Sequence, residues 1–446
     1  MRTIFKILLI ALIVTSCTKN KYESFSTISG HLPEFASKAI HFDSNDSTYT
    51  AFADNTGKFK IEISLSNPHY GKVKELDRNL FLIPNDSLLI NKVDKKYLFS
   101  GGQSALINNY STDWTTYMNA IADTTDFEKY YNQKPYDFLK SVNKWITTGE
   151  EPLRELLASH PNLNKEFVEC EKARIKYQMY GDLNDYKCKD ETIPDDFYTY
   201  LEAVNLNDSR LILLDEYQYF LSSYVYLKVQ RLKLENKIQQ TSKMFDIIQE
   251  YFNNKAIQNK MIKEVIRRQT LNLSVNDTLF ERFKSMCSDS LYIQKIENTY
   301  QNLKPLLKGN KAPDFVFIDT NRKKFFLNNF KGKYLLIDVW STTCSPCINE
   351  MPYLDKIKEE NKDKDIEFVA VCLSGETAWK KMLKKLNLED RQFRVENGWN
   401  SKFRNNYLKS SGVPVYILID PNGLIIDARA PKPSENLTEV INRLEI

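Results

Sequence analysis

The stretch that decides the fold is Tyr334–Glu360, "YLLIDVWSTTCSPCINEMPYLDKIKEE". Its first seven residues are apolar except for Asp338, the pattern of a strand buried on both faces. Two cysteines follow, Cys344 and Cys347, with Ser345 and Pro346 between them, and the residues after them have helical spacing. A strand that feeds a helix at such a pair places the first cysteine at the helix N-terminus. Unpaired backbone N–H groups and the helix dipole favour negative charge there. Cys344 is therefore expected to be a stabilised, reactive thiolate, and Cys347, one turn inside the helix, a shielded thiol that resolves a mixed disulfide. Pro346 suits the first helical turn because its φ is fixed and it has no N–H to satisfy, whereas Pro352 is expected to kink the helix further along. Asp338, six residues before Cys344, is a candidate proton acceptor for Cys347, because burial raises a carboxyl pKa; the alternative is a buried structural aspartate. Glu350, one turn after Cys347, is a second candidate for the same proton traffic, or else a solvated helix residue.

Downstream, "IEFVAVCL" (Ile366–Leu373) reads as strand and "TAWKKMLKKL" (Thr377–Leu386) as helix, while "VYILID" and "LIIDAR" form a hairpin about Pro421–Gly423. Ser434 is placed to cap a last helix whose Leu437, Val440, Ile441 and Leu444 share a face. Strands and helices in this order predict an α/β sheet with helices on both faces. Upstream, "KPLLKGNKAPDF" breaks a helical pattern with Pro305, Gly309 and Pro313, and the boundary falls near Leu307. Residues 104–307 carry helical periodicity, as in Met244, Ile247, Ile248, Tyr251 and Phe252, or Leu214, Tyr217, Leu221, Tyr224 and Val225; these stripes read as core packing. Residues 26–103 carry strand signals. Phe59, Ile61, Ile63 and Leu65 alternate with polar residues, and "NLFLI" and "LLINKV", separated by "PNDS", predict a hairpin in a small antiparallel β domain. The chain of 446 residues is thus multidomain: a β-rich domain, an α-helical middle region and a C-terminal α/β domain over 308–446.

The N-terminus, "MRTIFKILLIALIVTSC", has Arg2 and Lys6, an apolar run too short to span a bilayer, and small residues before Cys17. It reads as a signal peptide over 1–16, with a polar tether over 17–25. A net charge of +4 on a chain with 27% charged residues and no long basic tract gives nucleic-acid binding no support. Of the other cysteines, Cys372 reads as a core residue, and Cys170 and Cys188 lie in helical surroundings where a pairing is open. A zinc site needs four ligands, and His31, His41, His69 and His160 all precede the dithiol domain, so no metal is expected. The dithiol chemistry calls for no cofactor.

From Gly309 to Ile446 the sequence resembles the thioredoxin-fold thiol-disulfide oxidoreductases of the TlpA/ResA-like family. The resemblance is carried by "APDFVFID", "FKGKYLLIDVW", Asp338, Trp340, "CSPC", Glu350, Pro352 and "SGVPVYILID". It implies a thioredoxin-like fold, a cis peptide before Pro414, and a Val413 main chain presented beside Cys344, with Trp340 and Pro346 also at the substrate surface. Two departures stand out: Thr343 replaces a tryptophan that many relatives carry before the first cysteine, and Val415 stands where an arginine often follows the cis-proline. The ending "VTSC" resembles a bacterial lipobox, which implies lipid on Cys17 and a periplasm-facing, membrane-anchored protein in the cell envelope. Protein disulfides are the implied substrates, a membrane electron donor the implied source of re-reduction, and reduction the implied direction. The competing reading is a cell-envelope binding or scaffold lipoprotein whose thioredoxin-like domain is regulatory. If Cys17 carries the anchor, Cys17→Ala is expected to move the protein from the membrane to the soluble fraction; unchanged fractionation places the anchor elsewhere.

Overall fold

The computed structural model describes residues 24–445 except 45–46, 95, 189–191, 389–390 and 410, so the expected signal peptide and Cys17 lie outside the described residues. The chain divides at Leu227 and Lys228 into two compact units. The division cuts the helical stretch of 104–307, which the sequence pattern presents as one region.

In the first unit, two four-stranded sheets share one core. One sheet contains Phe25–His31, Lys58–Ser64, Ser87–Val93 and Lys96–Gly101, and the other Ala39–Asp43, Thr48–Phe52, His69–Val73 and Arg78–Leu82. Phe59, Ile61, Ile63 and Leu65 are all buried, as their alternation predicts. The expected hairpin across "PNDS" is corrected: Arg78–Leu82 pairs with His69–Val73, while Ser87–Val93 belongs to the other sheet, beside Phe25–His31 and Lys96–Gly101. The reason lies in side chains distant in sequence. Asn108, on helix Gln103–Asp123, accepts from the Phe81 N–H at 3.0 Å and donates to its C=O at 2.9 Å, satisfying the edge a hairpin partner would take. Cys170 and Cys188 are both free thiols, so the pairing left open by sequence is not made.

The second unit opens with four helices, Lys237–Tyr251, Lys255–Leu271, Asp277–Met286 and Ser290–Leu303. Each begins after an Asn or Asp whose side chain accepts from the first turn: Asn236, Asn254, Asn276 and Asp289. The α/β domain follows. Its elements are β1 (Val316–Ile318), β2 (Lys324–Phe326), β3 (Tyr334–Trp340), α1 (Ser345–Glu360), β4 (Ile366–Cys372), α2 (Glu376–Leu386), β5 (Gln392–Arg394), α3 (Lys402–Tyr407), β6 (Val415–Ile419), β7 (Ile425–Ala430) and α4 (Leu437–Asn442). The sheet order is β2-β1-β5-β4-β3-β6-β7. β3 pairs parallel with β4 and antiparallel with β6, and β6 and β7 form the predicted hairpin. Strands β1, β2 and β5 and helix α3 are short, and no periodic run in the sequence marks them.

Alternation along β3 separates two cores. Leu335, Ile337 and Val339 face a cluster with Phe315, Phe317 and Tyr407, which also contains Leu303 and Leu306. The helical segment therefore already contributes to the sheet's core before the boundary expected at Leu307. On the opposite face, Leu336 packs with Leu354 and Ile357 of α1 and Leu437 and Ile441 of α4. Ser434 does not cap α4: the N-cap is Asn436, without a side-chain cap bond, and Ser434 is engaged elsewhere. Leu354 fastens the dithiol helix to the sheet, so Leu354→Ala is expected to cost about 2–5 kcal/mol in denaturant unfolding of the full chain; a cost below about 1 kcal/mol would show that α1 is held by other contacts.

Candidate active site

β3 ends at Trp340, and the chain turns through Ser341–Thr343 before α1 begins. This turn is tied down from the end of β4: the Thr342 N–H and hydroxyl both donate to Ser374 Oγ, at 3.0 and 2.9 Å. Cys344 is the N-cap residue of α1, and its sulfur accepts from the Cys347 N–H at 3.1 Å. The helix terminus thus directs a main-chain donor at the sulfur, the arrangement that favours negative charge there. Cys344 and Cys347 are joined as a disulfide, with Cys344 9% exposed and Cys347 1%. That difference leaves Cys344 as the sulfur an incoming reagent reaches. Ser345, Pro346 and Thr343 are exposed around it, and α1 continues through Pro352 to Glu360.

The Val413–Pro414 peptide is cis. Val413 O lies 3.5 Å from Cys344 Sγ, because the β3–β6 register ends at Val339 opposite Val415 and brings the preceding residues to the dithiol. Among the described residues, no main-chain bond takes up the Gly412 or Val413 N–H. Gly412 is exposed, and Val413 and Pro414 are half-buried.

Asp338 shares a face of β3 with Leu336 and Trp340, 4% exposed, and its Oδ1 has no hydrogen-bond partner. Burial pushes its carboxyl from 3.8 up to about 7; Lys358 opposes the rise, and Asp355 and Glu350 add to it. Glu350 is also buried, but both its oxygens are taken: Ser434 donates its N–H to Oε2 at 2.9 Å and its hydroxyl to Oε1 at 2.8 Å. A solvated helix position is thereby corrected for Glu350. Trp340, expected at the substrate surface, is also corrected: it has no exposed surface and packs beneath the disulfide with Trp379, Ala370 and Cys372. A side chain pointing inward from a strand paired on both edges has no route to a docked substrate. Cys372 is buried, as its apolar run suggests, and burial pushes its thiol up. Ser374 and Ser434 are the supporting residues missed in the sequence. They lie 32 and 84 positions from their partners, and no local pattern announces such contacts.

The Asp338 environment has a thermodynamic consequence. Folded Asp338 keeps its proton up to about pH 7, whereas its ordinary pKa is 3.8. Between these values the folded state binds more protons than the unfolded state, so stability falls as pH rises through that window and levels off above it. Asp338→Asn removes the titration. The oxidised variant is expected to exceed the wild type by roughly 2–4 kcal/mol near pH 8, with the difference disappearing near pH 4, in denaturant unfolding. A difference independent of pH would mean that Asp338 titrates normally.

The Redoxin family model matches residues 307–442. The thiol-disulfide oxidoreductase ResA of Bacillus thuringiensis subsp. konkukian is 30% identical over 141 residues, which cover 30% of this chain and 78% of that protein. ResA of Bacillus anthracis is 31% identical over 120 residues, covering 27% and 67%. The thioredoxin domain of a thiol-disulfide oxidoreductase from Bacteroides vulgatus is 31% identical, covering 31% of this chain and 97% of that one, with a TM-score of 0.29. Coverage of most of a relative's length at this identity, over a domain with the C-x-x-C pair at the strand-to-helix turn, establishes that the chain belongs to the TlpA/ResA-like thiol-disulfide oxidoreductases of the thioredoxin fold.

Proposed function

We propose that the protein exchanges disulfides with exported protein substrates through Cys344 and Cys347, as a reductase held at a membrane by lipid on Cys17. The observation that carries this reading is the placement of the more exposed sulfur, Cys344, at a helix N-cap and 3.5 Å from the Val413 carbonyl. Nucleophile and main-chain docking edge are then neighbours. An extended substrate segment adds to the Gly412–Val413 edge by main-chain hydrogen bonds, which tolerate many side-chain sequences. In this reading exposed Pro346 and half-buried Pro414 border that edge.

In the reduced enzyme, the Cys344 thiolate attacks one sulfur of a substrate disulfide. A mixed disulfide forms and the other substrate sulfur leaves as a thiolate. Cys347 then gives its proton to a buried carboxylate and attacks Cys344. The Cys344–Cys347 bond closes, and the second substrate sulfur is released. Two electrons have passed to the substrate, and a dithiol donor at the membrane restores the enzyme by the reverse exchange. Direction is set by the potentials of enzyme and donor. No described helix is long and apolar enough to cross a membrane. In this reading the lipid on Cys17 is the anchor.

Cys347→Ser separates this function from a scaffold role. The mixed disulfide on Cys344 then lacks an internal thiol to release it, and covalent complexes with exported proteins are expected to accumulate in cells. Wild type is also expected to accelerate insulin reduction by dithiothreitol, and Cys344→Ser to abolish the acceleration. Reactive Cys344 with neither trapped partners nor insulin reduction would leave the scaffold reading standing.

A further inference from the structure

Ser434 lies between β7 and α4 and gives both of its donors to one carboxylate that is 84 residues away in sequence. Glu350, the recipient, is one turn beyond Cys347 on α1. A buried carboxylate with a donor on each oxygen is held in one place and one orientation. Asp338 is the opposite case: buried on the adjoining strand, with Oδ1 lacking any partner. Two buried carboxyls on packed elements, β3 and α1, are thus treated differently, one pinned by donors and one left with an unpaired acceptor.

We propose that Ser434 is a positioning residue of the redox site: it pins Glu350 as a stationary negative charge, so that Asp338 and not Glu350 exchanges the proton with Cys347. This rests on the reading of Cys347 as the resolving thiol. In that step the Cys347 proton passes to the Asp338 carboxylate, the Cys344–Cys347 bond forms, the Cys344–substrate bond breaks, and the substrate sulfur leaves as a thiolate. The substrate disulfide is the only oxidant required.

The groups acting on Asp338 come from each element packed around it. On α1, Glu350 and Asp355 favour retention of its proton, and Lys358 opposes them. On β6, Tyr416 stands directly opposite Asp338, and on β4 Cys372 is nearby; burial pushes both up and keeps them neutral. Asp355 is engaged by Lys358 of the same helix, at 3.0 Å. Glu350 is the one of these acids held from outside α1, by Ser434. Loss of the Ser434 hydroxyl frees one Glu350 oxygen to turn toward water, and the charge felt by Asp338 weakens.

The test is the rate of the resolution step as a function of pH, by stopped flow on the full-length protein, with the thermal midpoint of each oxidised variant confirming folding. Ser434→Ala is expected to lower the midpoint of the profile by roughly half a pH unit, the direction set by removing a nearby like charge. Ser434→Thr keeps both donors and is expected to hold the wild-type midpoint. Glu350→Gln preserves shape and removes the charge, so it is expected to lower the midpoint at least as far, and Ser434→Ala is expected to add nothing in that background. A wild-type midpoint in Ser434→Ala together with a lowered one in Glu350→Gln overturns the role of Ser434. So do shifts that add in the double variant. If Glu350→Gln leaves the profile unmoved, the fixed-charge role of Glu350 is overturned. Failure of the underlying reading has a separate signature: an unmoved profile in Asp338→Asn.

Discussion

The redox site depends on the register of β3. This strand is paired on both edges, parallel to β4 and antiparallel to β6, so its alternation cannot slip by a residue without turning each side chain to the other face. Three consequences follow from that one constraint. Leu335, Ile337 and Val339 fill the core on one side. Leu336, Asp338 and Trp340 face the side covered by α1, which puts the Trp340 indole beneath the disulfide and the Asp338 carboxyl between Trp340 and Leu336 on that face. The pairing of Val339 with Val415 then delivers Val413 and Pro414 to the sulfur of Cys344.

Burial of polar groups in this layer is costly, and the protein answers the cost unequally. Glu350 is satisfied by two donors, as buried polar groups usually are. Asp338 Oδ1, Trp340 Nε1 and Trp379 Nε1 have no hydrogen-bond partner, and the two indoles pack in one cluster with Cys344 and Cys347. An unpaired buried acceptor costs about 1–3 kcal/mol. Such a cost is tolerable where a group must keep a free lone pair for a proton. The turn before Cys344 is treated in the opposite way, with both Thr342 donors fixed by Ser374, so the main chain that carries the more exposed sulfur is held in place.

The first unit pairs both oxygens of its buried Glu171, although Asn79 Oδ1 and Gln178 Oε1 there have no partner. Glu171, with no exposed surface, receives two bonds from Arg174, at 2.8 and 2.7 Å, and one each from Tyr70 and Tyr110, at 3.0 and 3.2 Å. A buried charge removed from such a network leaves the others uncompensated, so its members depend on one another. Together with the Asn108 grip on Phe81, this joins the second sheet to the helices that follow it.

Much of the fold was legible because it is written in local periodicity. The apolar run of β3, the C-x-x-C pair at a strand-to-helix turn, the β6–β7 hairpin and the face of α4 each lie within a few residues of chain, where alternation or helical spacing suffices to read them. The cysteines' order along the helix likewise follows from sequence, since helix position alone decides which sulfur meets the N-terminus. What the tertiary structure decided are contacts between distant segments. Ser434 is a plausible helix cap by local rules, yet it serves Glu350; "NLFLI" and "LLINKV" form a plausible hairpin, yet Asn108 claims the edge of the first. Trp340 matches a family motif, yet its orientation follows from pairing on both sides of β3. Periodicity specifies which face of an element is apolar, but the partner of a polar group is chosen by whatever packing brings within about 3 Å of it, and that distance is set by the whole fold.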